Sequence, residues 1–152
     1  MKKSLFIIAL SLFLLGFTSI LKAQEIPLYE YYNTIQHKHF YTTNYSELGA
    51  GGHNGWILYG TMGYLHPAGT VDQIYRFYQP SSGAHYYTLN KNVYPGGFQL
   101  EGVQADQPPI VELRAPVYEF FNHGSGDYYY ATDPTPPSGY VLNGISFYII
   151  VG

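Results

Sequence analysis

Three short pairs recur along this chain: Tyr32 with Asn33, Tyr78 with Gln79, and Phe121 with Asn122, each a ring followed by a side-chain amide. An aromatic plane lies well against the apolar C–H face of a sugar, and amides meet its hydroxyls. The single tryptophan, Trp56, has counterparts in Phe98 and Tyr140 and adds a second aromatic series. His39 and His85 occupy one equivalent position, with Tyr128 standing third. An imidazole there serves either as a hydrogen-bonded structural group or as the polar anchor of a pocket. The candidate ligand-binding set is therefore Tyr32, Asn33, His39, Trp56, Tyr78, Gln79, His85, Phe121 and Asn122. Against this stands a plainer reading, in which rings on both faces of a strand simply serve two packed layers.

Other chemistries find less support. His37 and His39 lie two apart and would share a strand face, as two metal ligands require, but no third ligand stands at matching spacing and no metal is expected. There is no Gly-x-Ser-x-Gly elbow, no His-Glu-x-x-His helix, no phosphate-cradling Gly-Lys loop and no dinucleotide fingerprint, so neither a familiar enzyme nor a cofactor is predicted. A glycosidase-like carboxylate pair would have to come from among Glu30, Glu47, Glu101, Glu112, Glu119, Asp72, Asp106, Asp127 and Asp133, and their spacing selects none of them. Without cysteine there is no disulfide, thiolate metal site or thiol nucleophile.

The elements that must position these residues are repeats. Tyr29–Asn44 (YEYYNTIQHKHFYTTN), Tyr75–Asn90 (YRFYQPSSGAHYYTLN) and Tyr118–Asp133 (YEFFNHGSGDYYYATD) align without gaps, their starts 46 and then 43 residues apart. A second block comes after each: GWILYG from Gly55, GFQLEG from Gly97 and GYVLNG from Gly139. The main length difference is a longer stretch, Tyr45–Asn54, in the first copy, where a loop is expected. Within a copy, an aromatic run, a polar turn and an aromatic, Thr-rich run describe a hairpin. The glycine block supplies a third strand, and the residues after it extend that strand or form a fourth. A weak helical signal is confined to Ser46–Leu48.

Units of this kind cannot bury their faces alone but can share one core around an axis. The expected fold is all-β, closed and pseudo-threefold, β-trefoil-like, with a threefold β-prism as the alternative; the QxW signature of ricin-like trefoils is missing. Strand alternation assigns Tyr29, Tyr31, Tyr75, Phe77, Tyr118 and Phe120 to the core, and Glu30, Arg76 and Glu119 to a solvated face.

Composition agrees. Of 152 residues 18% are aromatic and only 11% charged, with 18 Tyr and 17 Gly, which suits short strands and turns and excludes a helical bundle. Lys2 and Lys3 precede an apolar run from Leu5 to Leu21 that ends at Ala23, the layout of a secretory signal peptide spanning 1–23; an uncleaved anchor is the rival. The remaining single domain, 24–152, would hold repeats at about 27–69, 70–112 and 113–152. It keeps four basic residues (Lys38, Arg76, Lys91, Arg114) against ten acidic ones, a balance that disfavours nucleic acid and anionic membranes.

The run YRFYQPSSGAHYYT followed by GFQLEG resembles the Tyr-rich repeat of a secreted bacterial and fungal family of unknown function. Units of that family read Tyr-Arg-aromatic-Tyr-Asn-Pro, a Gly turn, His-aromatic-Tyr-Thr, and later Gly-Trp-x-x-Glu-Gly. The resemblance covers residues 27–148 and is best in the second copy. The first copy has Asn33-Thr34 for Asn-Pro and lacks the turn glycine, and the third has Tyr128 for the His and Asn143 for the Glu. It implies an extracellular module, wall-associated or appended to enzymes, with carbohydrate as the expected ligand. Residues and resemblance together predict a secreted or surface-located, non-catalytic, lectin-like module whose partner is an extracellular polysaccharide. The alternatives are a structural or adhesive protein that binds another protein, which requires a large exposed apolar patch, and a small glycoside hydrolase.

Overall fold

The computed structural model describes residues 24–69 and 72–152; the expected signal peptide, 1–23, lies outside the described residues. Each repeat forms one three-stranded antiparallel sheet. The first holds β1 (Ile26–Asn33), β2 (Lys38–Thr42) and β3 (Trp56–Leu65). The second holds β4 (Gln73–Gln79), β5 (Ala84–Thr88) and β6 (Gln99–Asp106), and the third β7 (Ala115–Asn122), β8 (Asp127–Ala131) and β9 (Val141–Ile149). In every sheet the first strand lies in the middle, giving orders β2-β1-β3, β5-β4-β6 and β8-β7-β9. The segment after each glycine block thus extends the third strand. The helical signal near Ser46 becomes a single 3-10 turn, Tyr45–Glu47, with the Asn44 side chain accepting from the Ser46 N–H.

The hairpin turns are built alike. The carbonyls of Asn33, Gln79 and Asn122 accept from the N–H groups of His37, Gly83 and Gly126 at 2.8, 2.8 and 2.7 Å. All three donors lie in the left-handed region, at φ 54°, 71° and 65°. Glycine takes that region freely, whereas a side chain costs about 1–2 kcal/mol. A Cβ at Gly83 or Gly126 would meet nothing closer than 3.5 Å, so only backbone conformation opposes it. Gly83→Ala and Gly126→Ala should each lower unfolding free energy by about 1–2 kcal/mol in denaturant titrations. His37→Ala should change it far less, since residue 37 already bears that penalty.

β2, β5 and β8 are edge strands of their own sheets, and all three pairs of them pack together. One tyrosine from each, Tyr41, Tyr87 and Tyr130, is 1% exposed. Their ring centroids lie 5.2–5.6 Å apart with planes at 83–89°, edge to face all round. The Tyr41 N–H donates to the Tyr87 hydroxyl at 2.8 Å, and that hydroxyl donates to the Tyr41 carbonyl at 2.6 Å. The Tyr130 N–H and carbonyl engage the Tyr41 hydroxyl in the same way, both at 3.0 Å. The Tyr87 N–H donates to the Tyr130 hydroxyl at 2.9 Å, whose proton is shared between the Tyr87 carbonyl at 3.4 Å and Glu119 at 3.2 Å. The buried core continues from this ring into Leu28, Leu65, Ile74, Ala105, Val117, Phe147 and Ile149, drawn from all three repeats.

Strand alternation is right for Tyr31, Phe77 and Phe120, which are fully buried, while Tyr29, Tyr75 and Tyr118 are only half-buried. The expectation of a solvated charged face is overturned. Arg76 is 8% and Glu119 9% exposed, and Glu30 is half-buried. Each is the cross-strand partner of a ring tyrosine (Glu30 of Tyr41, Arg76 of Tyr87, Glu119 of Tyr130), so it faces the neighbouring repeat rather than water. Removing one phenolic hydroxyl strands a buried N–H and a carbonyl, at about 1–3 kcal/mol. Tyr41→Phe and Tyr87→Phe should each show a loss of that size by chemical denaturation, with little change in circular dichroism.

Candidate functional site

At each boundary between repeats, four rings stand in series. Trp56, Phe40, His85 and Tyr78 join the first repeat to the second, with successive centroids 5.7, 4.7 and 5.0 Å apart. Phe98, Tyr86, Tyr128 and Phe121 join the second to the third at 5.9, 5.0 and 4.7 Å. Tyr140, Tyr129, His39 and Tyr32 return from the third to the first at 5.8, 4.7 and 4.8 Å. The candidates Tyr32, His39, Trp56, Tyr78, His85 and Phe121 are all members of these series. The four outer rings are half-buried rather than turned to solvent, and the two histidines are buried.

The amides are placed otherwise. The Asn33 carbonyl oxygen Oδ1 accepts from the Ile35 and Gln36 N–H groups at 3.0 and 2.9 Å, and its Nδ2 donates to the Asn54 carbonyl at 3.0 Å. Asn122 Oδ1 accepts from Gly124 and Ser125 at 2.9 and 3.0 Å. Gln79 Nε2 donates to the Gly96 carbonyl at 3.2 Å, and its Oε1 accepts from Ser82. The first glycine of each block packs on this amide: a Cβ at Gly55, Gly97 or Gly139 would come within 2.8, 3.0 or 3.2 Å of Asn33, Gln79 or Asn122. These amides hold hairpin turns against the third strand. Asn33, at 1% exposure, is out of a ligand's reach.

The boundary between the first two repeats forms an open pocket of about 360 Å³, walled by Phe40, Trp56, His85, Arg76, Glu101, Glu47 and Leu48. A β-bulge shapes it. In the β4–β6 ladder Arg76 faces Gly102 and Phe77 faces Leu100, so Glu101 is the extra residue and its side chain is re-aimed at Arg76. Arg76 Nε lies 2.7 Å from Glu101 Oε2, and its two Nη atoms grip Glu47 at 3.0 and 2.9 Å. The guanidinium also stands over the Phe40 ring at 4.9 Å. Glu47 and Leu48 come from the stretch that lengthens the first copy, so that insertion supplies one wall.

The electrostatics reflect burial and this clamp. Burial alone would raise the Glu47 carboxyl, but hydrogen bonds from Arg76 and Thr42 outweigh it and hold the group below its ordinary value. Burial, reinforced by the Arg76 charge, pushes the His85 imidazole down to about 3, so it is uncharged at neutral pH. At the equivalent second-to-third boundary, Glu119 and Asn143 replace Arg76 and Glu101; Asn143 Nδ2 donates to Glu119 at 2.9 Å, and burial raises the carboxyl.

The third-to-first boundary is built around Asp127, which is fully buried. Its Oδ1 accepts from the His39 N–H at 2.9 Å, and its Oδ2 lies 2.6 Å from His39 Nδ1 and accepts from the Tyr140 hydroxyl at 2.7 Å. The buried Lys38 ammonium donates to the Ser125 carbonyl. His37 takes no part: its Nδ1 meets the Tyr32 hydroxyl at 3.0 Å in the turn, so the two histidines do not converge as a metal pair. Tyr32 and Asn122 line a shallow cleft of about 560 Å³ nearby, with Gln36, His37 and Tyr140.

Sequence reading missed Phe40, Arg76, Glu101 and Glu47 as pocket residues. Two signals pointed to them, the Glu before the last glycine of one block and the insertion in one copy. No protein-family model, curated protein or solved structure matches the chain.

His85 has a measurable consequence. Its folded value lies below the ordinary imidazole value, so its contribution to stability is complete above about pH 6.5 and is lost as pH falls toward 3. Unfolding free energy should drop on the order of 2 kcal/mol more between roughly pH 7 and pH 5 for the native protein than for His85→Gln.

Proposed function

We propose that this chain is a secreted, non-catalytic carbohydrate-binding module that takes its ligand in the pocket between the first and second repeats. The observation that carries the reading is the convergence there of Trp56 and Phe40 with Arg76, Glu101 and His85. An aromatic wall beside a few convergent polar groups is the composition by which proteins recognise sugars, and the volume lies at the lower end of the about 300–1,000 Å³ common for small-molecule sites. The resemblance to the secreted Tyr-rich repeat family and the apolar leader at 1–23 support an extracellular setting and a polysaccharide partner. Among the described residues no helix is long and apolar enough to cross a membrane.

We read the body that carries the pocket as closed. Support comes from the return of the third repeat onto the first, through Tyr130 to Tyr41 and Asp127 to His39. The separate three-stranded ladders, joined by isolated bridges such as Tyr64–Ile150 and His66–Asp106, favour the prism-type alternative over a trefoil, whose barrel strands are hydrogen-bonded in sequence. A second reading, a protein-binding surface module, is favoured by the segment between the second and third repeats, where Ile110, Val111 and Leu113 are 82–89% exposed.

Because Trp56 is the only tryptophan, its fluorescence reports the pocket directly. Oligosaccharides that bind should shift it, and Trp56→Ala should remove polysaccharide pull-down while leaving thermal unfolding intact. Tyr78→Ala, at the far end of the ring series, should weaken binding in parallel. Silence across a broad glycan panel would count against the proposal, and binding to a protein uncompeted by free sugars would favour the second reading.

A further inference from the structure

Building on the carbohydrate-binding reading, we propose that the pocket between the first two repeats selects sugars that carry a free amino group, with Glu101 as counter-ion of the ammonium, and excludes uronic acids. The argument rests on which charges are already matched. Both oxygens of Glu47 accept from the Nη atoms of Arg76, so that pair neutralises itself. Glu101 then leaves the pocket with one negative charge in excess. Its Oε2 faces Arg76 Nε at 2.7 Å and His85 Nε2 at 3.5 Å, while Oε1 carries no hydrogen bond from the described residues and its side chain is about one-third exposed. His85 adds no positive charge, since burial keeps its imidazole neutral, and its Nδ1 is buried without a partner among the described residues.

A ligand entering here meets an open carboxylate oxygen and the half-buried Trp56 ring, since Phe40 is buried and already lies under the Arg76 guanidinium. An ammonium gains from both, by a charge-assisted hydrogen bond and by attraction to the Trp56 ring. A uronate meets like charge, and Arg76 cannot turn to it without breaking the fork it makes with Glu47. The field of the whole chain points the same way, with four basic residues against ten acidic ones beyond residue 23. The other two boundaries do not repeat the arrangement. Tyr59 and Asn143 occupy the bulge position of Glu101, and Glu30 and Glu119 stand where Arg76 does, so selection by a bulge carboxylate belongs to this boundary alone.

The test compares short oligosaccharides of glucosamine, N-acetylglucosamine, glucose and galacturonic acid, read by Trp56 fluorescence on the full-length protein after export. Glucosamine oligomers should bind about tenfold tighter than the acetylated or glucose forms at low salt. That gap should close as salt rises, and galacturonate should give no signal. Glu101→Gln should bring the ratio of glucosamine to glucose affinity close to one, with thermal unfolding followed in parallel. If that variant does not fold, the salt dependence of the unaltered protein decides the same point. Equal binding of glucosamine and its acetylated form at every salt concentration, or binding of galacturonate, overturns the amino-sugar selection and leaves the carbohydrate reading standing. No response to any sugar overturns both.

Discussion

An edge strand leaves a row of backbone N–H and carbonyl groups without partners, and this protein brings three such edges together where no other strand can pair with them. The problem is solved by the phenolic hydroxyl, a group that both donates and accepts. Each of Tyr41, Tyr87 and Tyr130 reaches the main chain of the tyrosine in a neighbouring repeat and serves its N–H and its carbonyl. The rings meanwhile meet edge to face and fill the space among the strands. No repeat can complete this set of bonds alone, which makes the three sheets one cooperative body. Phenylalanine would fill the space but leave the backbone unpaired, and serine would pair but not span the gap.

Everything at the boundaries depends on that convergence. With the inner strands held together, the residue just before each ring tyrosine (Phe40, Tyr86, Tyr129) meets the side chain at position 85, 128 or 39 of the next repeat. Rings from the hairpin and from the glycine block then extend the contact to four. The three boundaries share this geometry and differ in chemistry. The second-to-third pairs a buried carboxylate with an amide, the third-to-first encloses a buried carboxylate bound to an imidazole and a phenol, and the first-to-second holds an arginine between two carboxylates. Symmetric packing thus carries unsymmetric polarity.

Local devices decide what lines each boundary. The bulge opposite the middle strand occurs in every repeat, but it presents Tyr59, Glu101 or Asn143, and only the carboxylate reaches an arginine. The insertion in the first repeat places Glu47 on the far side of that arginine and props the pocket wall. Without it Arg76 would hold a single carboxylate, and the charge balance of the pocket would be neutral instead of negative.

Much of the molecule was legible from residue order alone. The triplication, the hairpin with its polar turn, the glycine-bounded third strand and the buried middle positions Tyr31, Phe77 and Phe120 all come from local rules, because turn chemistry and strand alternation act over a few residues. Of the residues the sequence singled out, Trp56 and His85 line the pocket between the first two repeats. The sequence misassigned Arg76 and Glu119 to solvent and offered as a ligand amide Asn33, which is 1% exposed. Alternation says which side of its own sheet a residue takes, but not whether another repeat stands there. Only the tertiary structure decided that. Assembly of the three sheets buries the charged positions across from the ring tyrosines, commits the amides to turns, and joins Phe40, Glu47, Arg76 and Glu101, up to 61 residues apart in the chain, in one pocket.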